Sequence, residues 1–212
     1  IEPPLLEFSI SGDSTYNGWG VSCNGVCNAE ITIDSVWGGN LPPYGNSSSY
    51  FDNVIFVDTL IGSDTCAGTY SYLVTDSLGC EGNNLITINE PPVFSISADT
   101  VLLANGYSVS CPGTCDGLIT ITPNGGAGDT INYFVSSSNS FQSDISFVTF
   151  NNICGENTNN GQDTIIAIDA NGCIDTANIS LLEPVLFTYD IDSTNENCSL
   201  NNGTAWVSNI NG

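Results

Sequence analysis

The sequence predicts an all-β protein built of tandem immunoglobulin-like β-sandwich repeats that are stapled by disulfides and arranged end to end. Three observations predict this class: short segments in which apolar and polar residues alternate, turns rich in Gly, Pro and Asn, and cysteines that recur at a fixed spacing. No window shows a convincing helical period, and β-branched residues are frequent. A repeat of about 90 residues also matches the usual size of an immunoglobulin-like sandwich.

The clearest predicted strand lies between Cys66 and Cys80. Tyr70, Tyr72 and Val74 alternate with smaller or polar residues, and the segment then closes with Asp-Ser-Leu-Gly, a sequence suited to a tight turn. The predicted strands of the first repeat are residues 5–11, 29–36, 50–57, 68–75 and 85–89.

The cysteines and the segments between strands show an internal duplication. Cys23, Cys27 and Cys66 recur 88 residues later as Cys111, Cys115 and Cys154, and Cys80 recurs 93 residues later as Cys173. Glu-Pro joints recur with them, at residues 2–3, 90–91 and 183–184. Self-similarity at a fixed period is the signature of a repeat architecture.

These joints divide the chain into three sequence repeats. The first repeat is residues 1–90, in which Ile1-Glu2 is the end of a preceding unit, and the second repeat is residues 91–183. Residues 184–212 form the start of a third repeat, which is incomplete. A half-built repeat would leave an open sheet edge, so we expect the chain to be cut from a longer array.

The composition excludes several classes of function. The chain has no Lys, Arg or His and carries 23 acidic residues. Binding to nucleic acid through phosphates, or to an anionic bilayer through a basic patch, requires cations. No apolar run reaches the ~20 residues of a membrane span, so no direct membrane insertion is expected. A nucleophile would lack its usual base, and the chain is therefore predicted not to be an enzyme.

Nine cysteines in a chain rich in Ser, Thr, Asn and Gly predict an oxidising, extracellular location. Four cysteines per repeat allow three pairings. The third repeat keeps Cys198 but has Asn202 where the second cysteine is expected, so Cys27 is predicted to pair with one of the later two. A zinc site is disfavoured because no His assists. The preferred pairs are Cys23–Cys80, Cys27–Cys66, Cys111–Cys173 and Cys115–Cys154.

Four motifs of the first repeat resemble one known family. They are C-N-G-V-C-N-A, G-G-N-L-P-P-Y, C-A-G-T-Y-S-Y-L-V-T-D-S-L-G-C and I-T-I-N-E-P-P. Together they resemble the SprB-type repeat of large surface adhesins of gliding and related Bacteroidota. The second repeat departs from the pattern, since Gly128-Asp129-Thr130 replaces Pro-Pro-Tyr. The resemblance implies a cell-surface protein that is exported by the type IX secretion system and whose repeats form a stalk or filament.

Ten of the fifteen Asp residues are followed by Ser or Thr. This dipeptide resembles the Asp-Ser/Thr-aliphatic O-glycosylation motif of Bacteroidota, in agreement with the repeats. The alternative is that such pairs form Asx-turns and strand-end caps, an explanation that suits Asp76 best. The candidate O-glycosylation sites are Ser14, Ser35, Thr59, Ser77, Thr100, Thr130, Thr164, Thr176 and Ser193.

No catalytic or metal-binding residues are assigned. Calcium is the candidate cofactor, because Asp13, Asp99 and Asp192 lie near the joints, although no D-x-D-x-D loop occurs. Aromatic residues are candidates for a carbohydrate platform, but most are better explained as core or turn-covering residues. These aromatic residues are Trp19, Trp37, Tyr44, Tyr50 and Trp206.

The function predicted is therefore a structural and adhesive segment of a long, O-glycosylated extracellular filament or stalk, with attachment or gliding as its candidate roles. Its expected partners are neighbouring repeats, covalent O-glycans and surface polysaccharides. One alternative is a carbohydrate-binding module of an exported glycan-degrading enzyme. The other is a filament subunit that accepts a strand from the next molecule.

Overall fold

The computed structural model describes backbone in residues 4–39, 54–56, 64–136, 140–144, 146–155 and 162–211. Within these ranges the chain is all-β, as predicted, and forms several small sheets without any helix. Accordingly, the described segments include no helix of the length and hydropathy needed to cross a bilayer.

The described residues form fourteen strands, numbered in chain order. They are β1 (Glu7–Gly12), β2 (Ile31–Trp37), β3 (Val54–Phe56), β4 (Gly68–Asp76), β5 (Glu81–Ile88), β6 (Ser95–Thr100), β7 (Gly117–Asn124), β8 (Ile131–Val135), β9 (Ser140–Asp144), β10 (Val148–Ile153), β11 (Asp163–Ile168), β12 (Ile174–Ile179), β13 (Thr188–Thr194) and β14 (Thr204–Asn211).

In the first repeat, β1 pairs with β2, and β4 lies between β3 and β5. The antiparallel β4–β5 ladder runs from Gly68 opposite Ile88 to Thr75 opposite Glu81. β5 therefore begins at Glu81 rather than at the predicted residue 85, because pairing continues up to the tight turn. The predicted strand 50–57 lies partly outside the described residues, and only β3 represents it.

The second repeat forms two sheets, one with the strand order β10-β7-β6 and one with the order β12-β11-β8-β9. Five of its buried side chains occupy positions that are also buried in the first repeat, at the offsets of 88 and 93 residues seen in the cysteines. Burying an aliphatic or aromatic side chain contributes about 1.5–3 kcal/mol, so both repeats depend on the same core positions. The matched buried residues are Leu6 and Phe94, Val21 and Val109, Ile31 and Ile119, Val74 and Ala167, and Ile88 and Leu181.

In the third repeat, β13 pairs with β14 in an antiparallel hairpin. Its apolar side chains remain exposed: Phe187, Ile191 and Val207 show 61%, 68% and 52% of their surface. Leu6, which corresponds to Phe187 when the Glu-Pro joints are aligned, is buried in the first repeat. The hairpin therefore presents, uncovered, the face that forms the core elsewhere in the chain.

Contacts between residues divide the chain into two compact units. The first comprises Ile1–Ser95, Asn124–Ile131 and Ile168–Asp175, and the second comprises the remaining residues. Two turns of the second sequence repeat therefore belong to the same compact unit as the first repeat. The division into three domains that follow the sequence repeats stays a prediction.

Candidate functional site: the joint between the first two sequence repeats

The joint between the first and second repeats, residues 89–92, is held on its upstream side by the loop that precedes β2. Backbone and side-chain donors of this loop reach the joint directly. The bonds are Gly20 N to Asn89 O (3.0 Å), Asn24 Nδ2 to Pro91 O (3.1 Å) and Gly25 N to Glu90 Oε2 (2.7 Å).

On its downstream side, the joint is held by a glycine of the second repeat. The Gly126 amide donates to Pro92 O at 3.1 Å, as the Gly39 amide donates to Pro4 O at 2.8 Å in the first repeat. Both glycines have positive φ, and a Cβ on Gly126 would lie 2.9 Å from Asp169 Oδ2. Glycine is therefore required there both by the backbone conformation and by the approach of the carboxylate.

Asp169 is a buried acceptor that organises the turn after β11. Its Oδ1 accepts hydrogen bonds from the amides of Asn171 and Cys173, both at 2.9 Å, and its Oδ2 accepts one from the Ala127 amide at 2.8 Å. The side chain is 3% exposed. A buried carboxylate is stable only when its oxygens are hydrogen-bonded, and here both are.

The first repeat contains the same turn after β4. Asp76, which is 2% exposed, accepts hydrogen bonds from the amides of Leu78 and Cys80 at 2.9 Å. The sequence predicts a turn here and an Asx-turn at Asp76, but not the burial of its carboxylate or the bond from the Cys80 amide. The recurrence of Asp-x-x-Gly-Cys at both places was the available signal.

The Asp169 turn packs against the loop of the first repeat. The Asn171 side-chain amide donates to the carbonyls of Tyr16 and Ser22, both at 3.0 Å. Cys173 then forms a disulfide with Cys23, with the two Cα atoms 5.6 Å apart. All of these residues belong to the first compact unit, so the disulfide lies within that unit although it joins two sequence repeats.

Two of the sequence-derived cysteine pairings must be corrected. The structure contains Cys27–Cys66 and Cys115–Cys154, as preferred from the sequence. It contains Cys23–Cys173 in place of the other two preferred pairs, because the hydrogen bonds of Asn171 bring the second turn, rather than the first, against Cys23. The replaced pairs are Cys23–Cys80 and Cys111–Cys173, and the free thiols are Cys80, Cys111 and Cys198.

The Cys-x3-Cys loops of the two repeats are closed in the same way. Asn28 Oδ1 accepts a hydrogen bond from the Ser22 amide, and Asp116 Oδ1 accepts one from the Ser110 amide, both at 3.0 Å. The hydrogen bonds from Ser110, and to a smaller extent the one from Thr114, lower the pKa of Asp116.

The Cys80 thiol lies at the end of the turn after β4. Its hydrogen bond to Asp76 is the main cause that raises the pKa of this thiol.

Most candidate O-glycosylation sites lie on the surface. Thr100 and Thr164 are half-buried, and Thr59 lies outside the described residues. Two of the Asp-Ser/Thr pairs also form Asx-type turns, since Asp13 accepts a bond from the Thr15 amide and Asp76 from the Leu78 amide. The Asx-turn explanation therefore applies at Asp13 and Asp76, and O-glycosylation of the candidate hydroxyls stays a prediction. The exposed hydroxyls are Ser14, Ser35, Ser77, Thr130, Thr176 and Ser193.

The candidate calcium ligands are not brought together. Among the described residues, no three acidic, Cys or His side chains are grouped closely enough to hold a metal ion. Asp13 is instead engaged by Thr15, whose hydrogen bonds lower its pKa. Of the aromatic residues, Trp37 lines an open groove, and its Nε1 donates to Glu7 at 2.8 Å.

Comparison with family models and with curated proteins adds no relative. No protein-family model matches the chain, and no curated protein matches it. The resemblance to SprB-type repeats therefore rests on the motifs of the chain itself.

Proposed function

We propose that the chain is a load-bearing segment of an extracellular, cell-surface filament or stalk built of tandem immunoglobulin-like β-sandwich repeats of the SprB type. The observation that carries this proposal is the joint between the first two repeats, which is bound on both sides and closed by Cys23–Cys173. A joint of this kind limits how far neighbouring repeats bend or separate. The three disulfides and the surface hydroxyls support an extracellular, O-glycosylated protein of the type exported by type IX secretion.

Single-molecule force extension of the full chain tests the mechanical role. Residues between Cys23 and Cys173 cannot extend while that disulfide is closed, so only the 22 residues before it and the 39 after it lengthen. At about 3.3–3.6 Å per residue this is roughly 200 Å, against roughly 700 Å for the reduced chain. An oxidised chain that extends by roughly 700 Å at low force would rule out the load-bearing role.

Intact-mass and glycopeptide analysis of the protein from its native host tests the sugar component. Glycans are expected on several of the six exposed candidate hydroxyls, because enzymes reach exposed residues most easily. Half-buried Thr164, whose hydroxyl donates to Asn178 at 2.9 Å, serves as the internal comparison and is expected to carry less. If no candidate hydroxyl carries a glycan, the proposal of O-glycosylation is wrong, whereas the mechanical role is unaffected.

A groove beside β1 favours carbohydrate binding as a second candidate function. It encloses about 420 Å³ and is lined by Glu7, Ser9, Trp37 and Asn83, among others. An exposed indole beside polar side chains suits the apolar face and hydroxyls of a sugar. Screening against surface polysaccharides tests it: Trp37→Ala should abolish binding, whereas the matched variant Trp206→Ala should not. Equal loss in both variants, or no binding at all, would remove this candidate.

A further inference from the structure

The free thiols of the chain have the same positions in their repeats as the two cysteines of the joint disulfide. Cys111 is the counterpart of Cys23, being the first cysteine of its repeat, and Cys80 is the counterpart of Cys173, being the last. In the disulfide that is formed, the first cysteine of one repeat joins the last cysteine of the following repeat. Cys111 is exposed and Cys80 is half-exposed, so both thiols are accessible.

The surroundings of the free thiols repeat those of the bonded pair. The Ser108 amide donates to Leu182 O at 2.8 Å, as the Gly20 amide donates to Asn89 O at 3.0 Å. The loop that carries Cys111 therefore holds its joint in the same way as the loop that carries Cys23. Cys80 likewise lies at the end of a turn that is closed by a buried aspartate, as Cys173 does.

We propose that Cys80 and Cys111 are the two complementary halves of an inter-repeat disulfide, and that their partner is another repeat of this type which presents the opposite half. Cys111 forms a disulfide with the last cysteine of a repeat that follows, and Cys80 forms one with the first cysteine of a repeat that precedes. Cys198, also a first cysteine, belongs with Cys111. We call this the pairing rule: the first cysteine of a repeat bonds to the last cysteine of the repeat that follows. The rule deepens the proposed function and rests on it, because the resulting bonds link each repeat of an array to the next.

The bond forms by thiol–disulfide exchange with a small disulfide such as oxidised glutathione. The thiolate of one cysteine attacks a glutathione sulfur, breaks its S–S bond and releases one glutathione thiolate. The thiolate of the second cysteine then attacks the mixed disulfide at the protein sulfur and releases the second glutathione thiolate. Two electrons pass to the glutathione disulfide, and the two thiol protons end on the two glutathione molecules.

The pairing rule is tested with a tandem chain, in which residues 1–183 are followed directly by residues 3–212. Glu183 then precedes Pro3, as a Glu-Pro joint. The first part contains eight cysteines and the second part nine. After equilibration with oxidised and reduced glutathione, each copy keeps its three disulfides, and Cys111 of the first copy pairs with Cys80 of the second. Three free thiols are then expected, whereas five remain if the bond does not form.

Matched variants identify the pair. Cys111→Ser in the first copy should raise the number of free thiols from three to four, whereas Cys80→Ser in the first copy should leave the new disulfide in place. Leu78→Asn in the second copy introduces the amide that Asn171 uses, and should raise the equilibrium constant for forming the bond about fivefold. Peptide mapping should show Cys111 linked to Cys80.

Five free thiols, a Cys80–Cys80 or Cys111–Cys198 link, or a lower equilibrium constant in the Leu78→Asn variant would overturn the rule. So would loss of Cys23–Cys173 from either copy, because the joint would then not accept a following repeat. Force extension of the unaltered chain separates this failure from failure of the proposed function. An extension of roughly 200 Å there, with five free thiols in the tandem chain, removes the rule and leaves the load-bearing role.

Discussion

The backbone amide of Ala127 donates a 2.8 Å hydrogen bond to the carboxylate of Asp169, which lies 42 residues later in the chain. The same carboxylate binds the amide of Cys173, whose sulfur is joined to Cys23. One buried side chain therefore connects the turn after β7 with the disulfide that crosses the joint. This makes Asp169 the first position at which to test how the joint is held.

Asp169→Ala should lower the free energy of unfolding by about 3–5 kcal/mol. The change leaves the buried amides of Ala127 and Cys173 and the half-buried amide of Asn171 without their acceptor, and each unsatisfied buried group costs about 1–3 kcal/mol. Denaturant unfolding of the oxidised chain measures the loss. The exposed Asp129, on a turn of the same compact unit, provides the control, since Asp129→Ala should change stability by less than about 0.5 kcal/mol. Similar losses in the two variants would contradict the role given to Asp169.

Replacing both Cys23 and Cys173 by serine should destabilise the chain by roughly 3–5 kcal/mol. The disulfide closes a loop of 150 residues, and the chain-entropy contribution grows slowly with loop length; the disulfides nested inside reduce it. The control is the double variant Cys80→Ser with Cys111→Ser, which should keep the stability of the parent within about 0.5 kcal/mol. If the control variant lost as much stability as the first variant, pairing within repeats would be the correct one, because each double variant would then break both Cys23–Cys80 and Cys111–Cys173.

Alkylation of Cys80 by iodoacetamide should be slow at neutral pH. The hydrogen bond to Asp76 raises the pKa of the thiol, so at any given pH a smaller fraction is the reactive thiolate. A variant with Cys111→Ser and Cys198→Ser leaves Cys80 as the one reactive thiol. Its apparent pKa should exceed about 8.5, the value of an ordinary cysteine, and should return to that value in denaturant. A rate that reaches its plateau below pH 8 would contradict the contact with Asp76.

Acid should loosen the Cys-x3-Cys loop of the second repeat. Hydrogen bonds from Ser110 and Thr114 lower the pKa of Asp116, so their stabilisation is complete above the unfolded pKa of about 3.9 and is lost as the pH falls through the lower folded value. The chemical shift of the Ser110 amide should therefore titrate below pH 3.9. Asp116→Asn keeps an acceptor, as Asn28 does in the first repeat, and should abolish this titration. A midpoint above 3.9 would show that the bonds do not favour the carboxylate.

The sequence predicts much of the strand content because alternation is directly visible in it. The segments that became β2 and β4 were found to within two residues at each end. The start of β5 was missed because Glu81 and Asn83 are polar and Gly82 has no side chain, so the ladder there has no apolar pattern. Backbone pairing with β4 determines that part of the strand instead.

The joint disulfide could not be predicted for a different reason. Cys80 and Cys173 end the same motif in successive repeats, so spacing alone does not say which of them meets Cys23. The choice depends on the fold of the turn and on Asn171, which has Leu78 as its counterpart in the first repeat. The sequence shows Asn171 and Leu78 at matching positions. That this difference decides which cysteine meets Cys23 follows only from the contacts between the turn and the loop.

The position of Cys23–Cys173 also determines how the chain responds to damage. A single hydrolysed peptide bond between these cysteines produces two fragments that remain covalently attached to each other. The segment would thus stay in one covalent piece after a first proteolytic cut in this region.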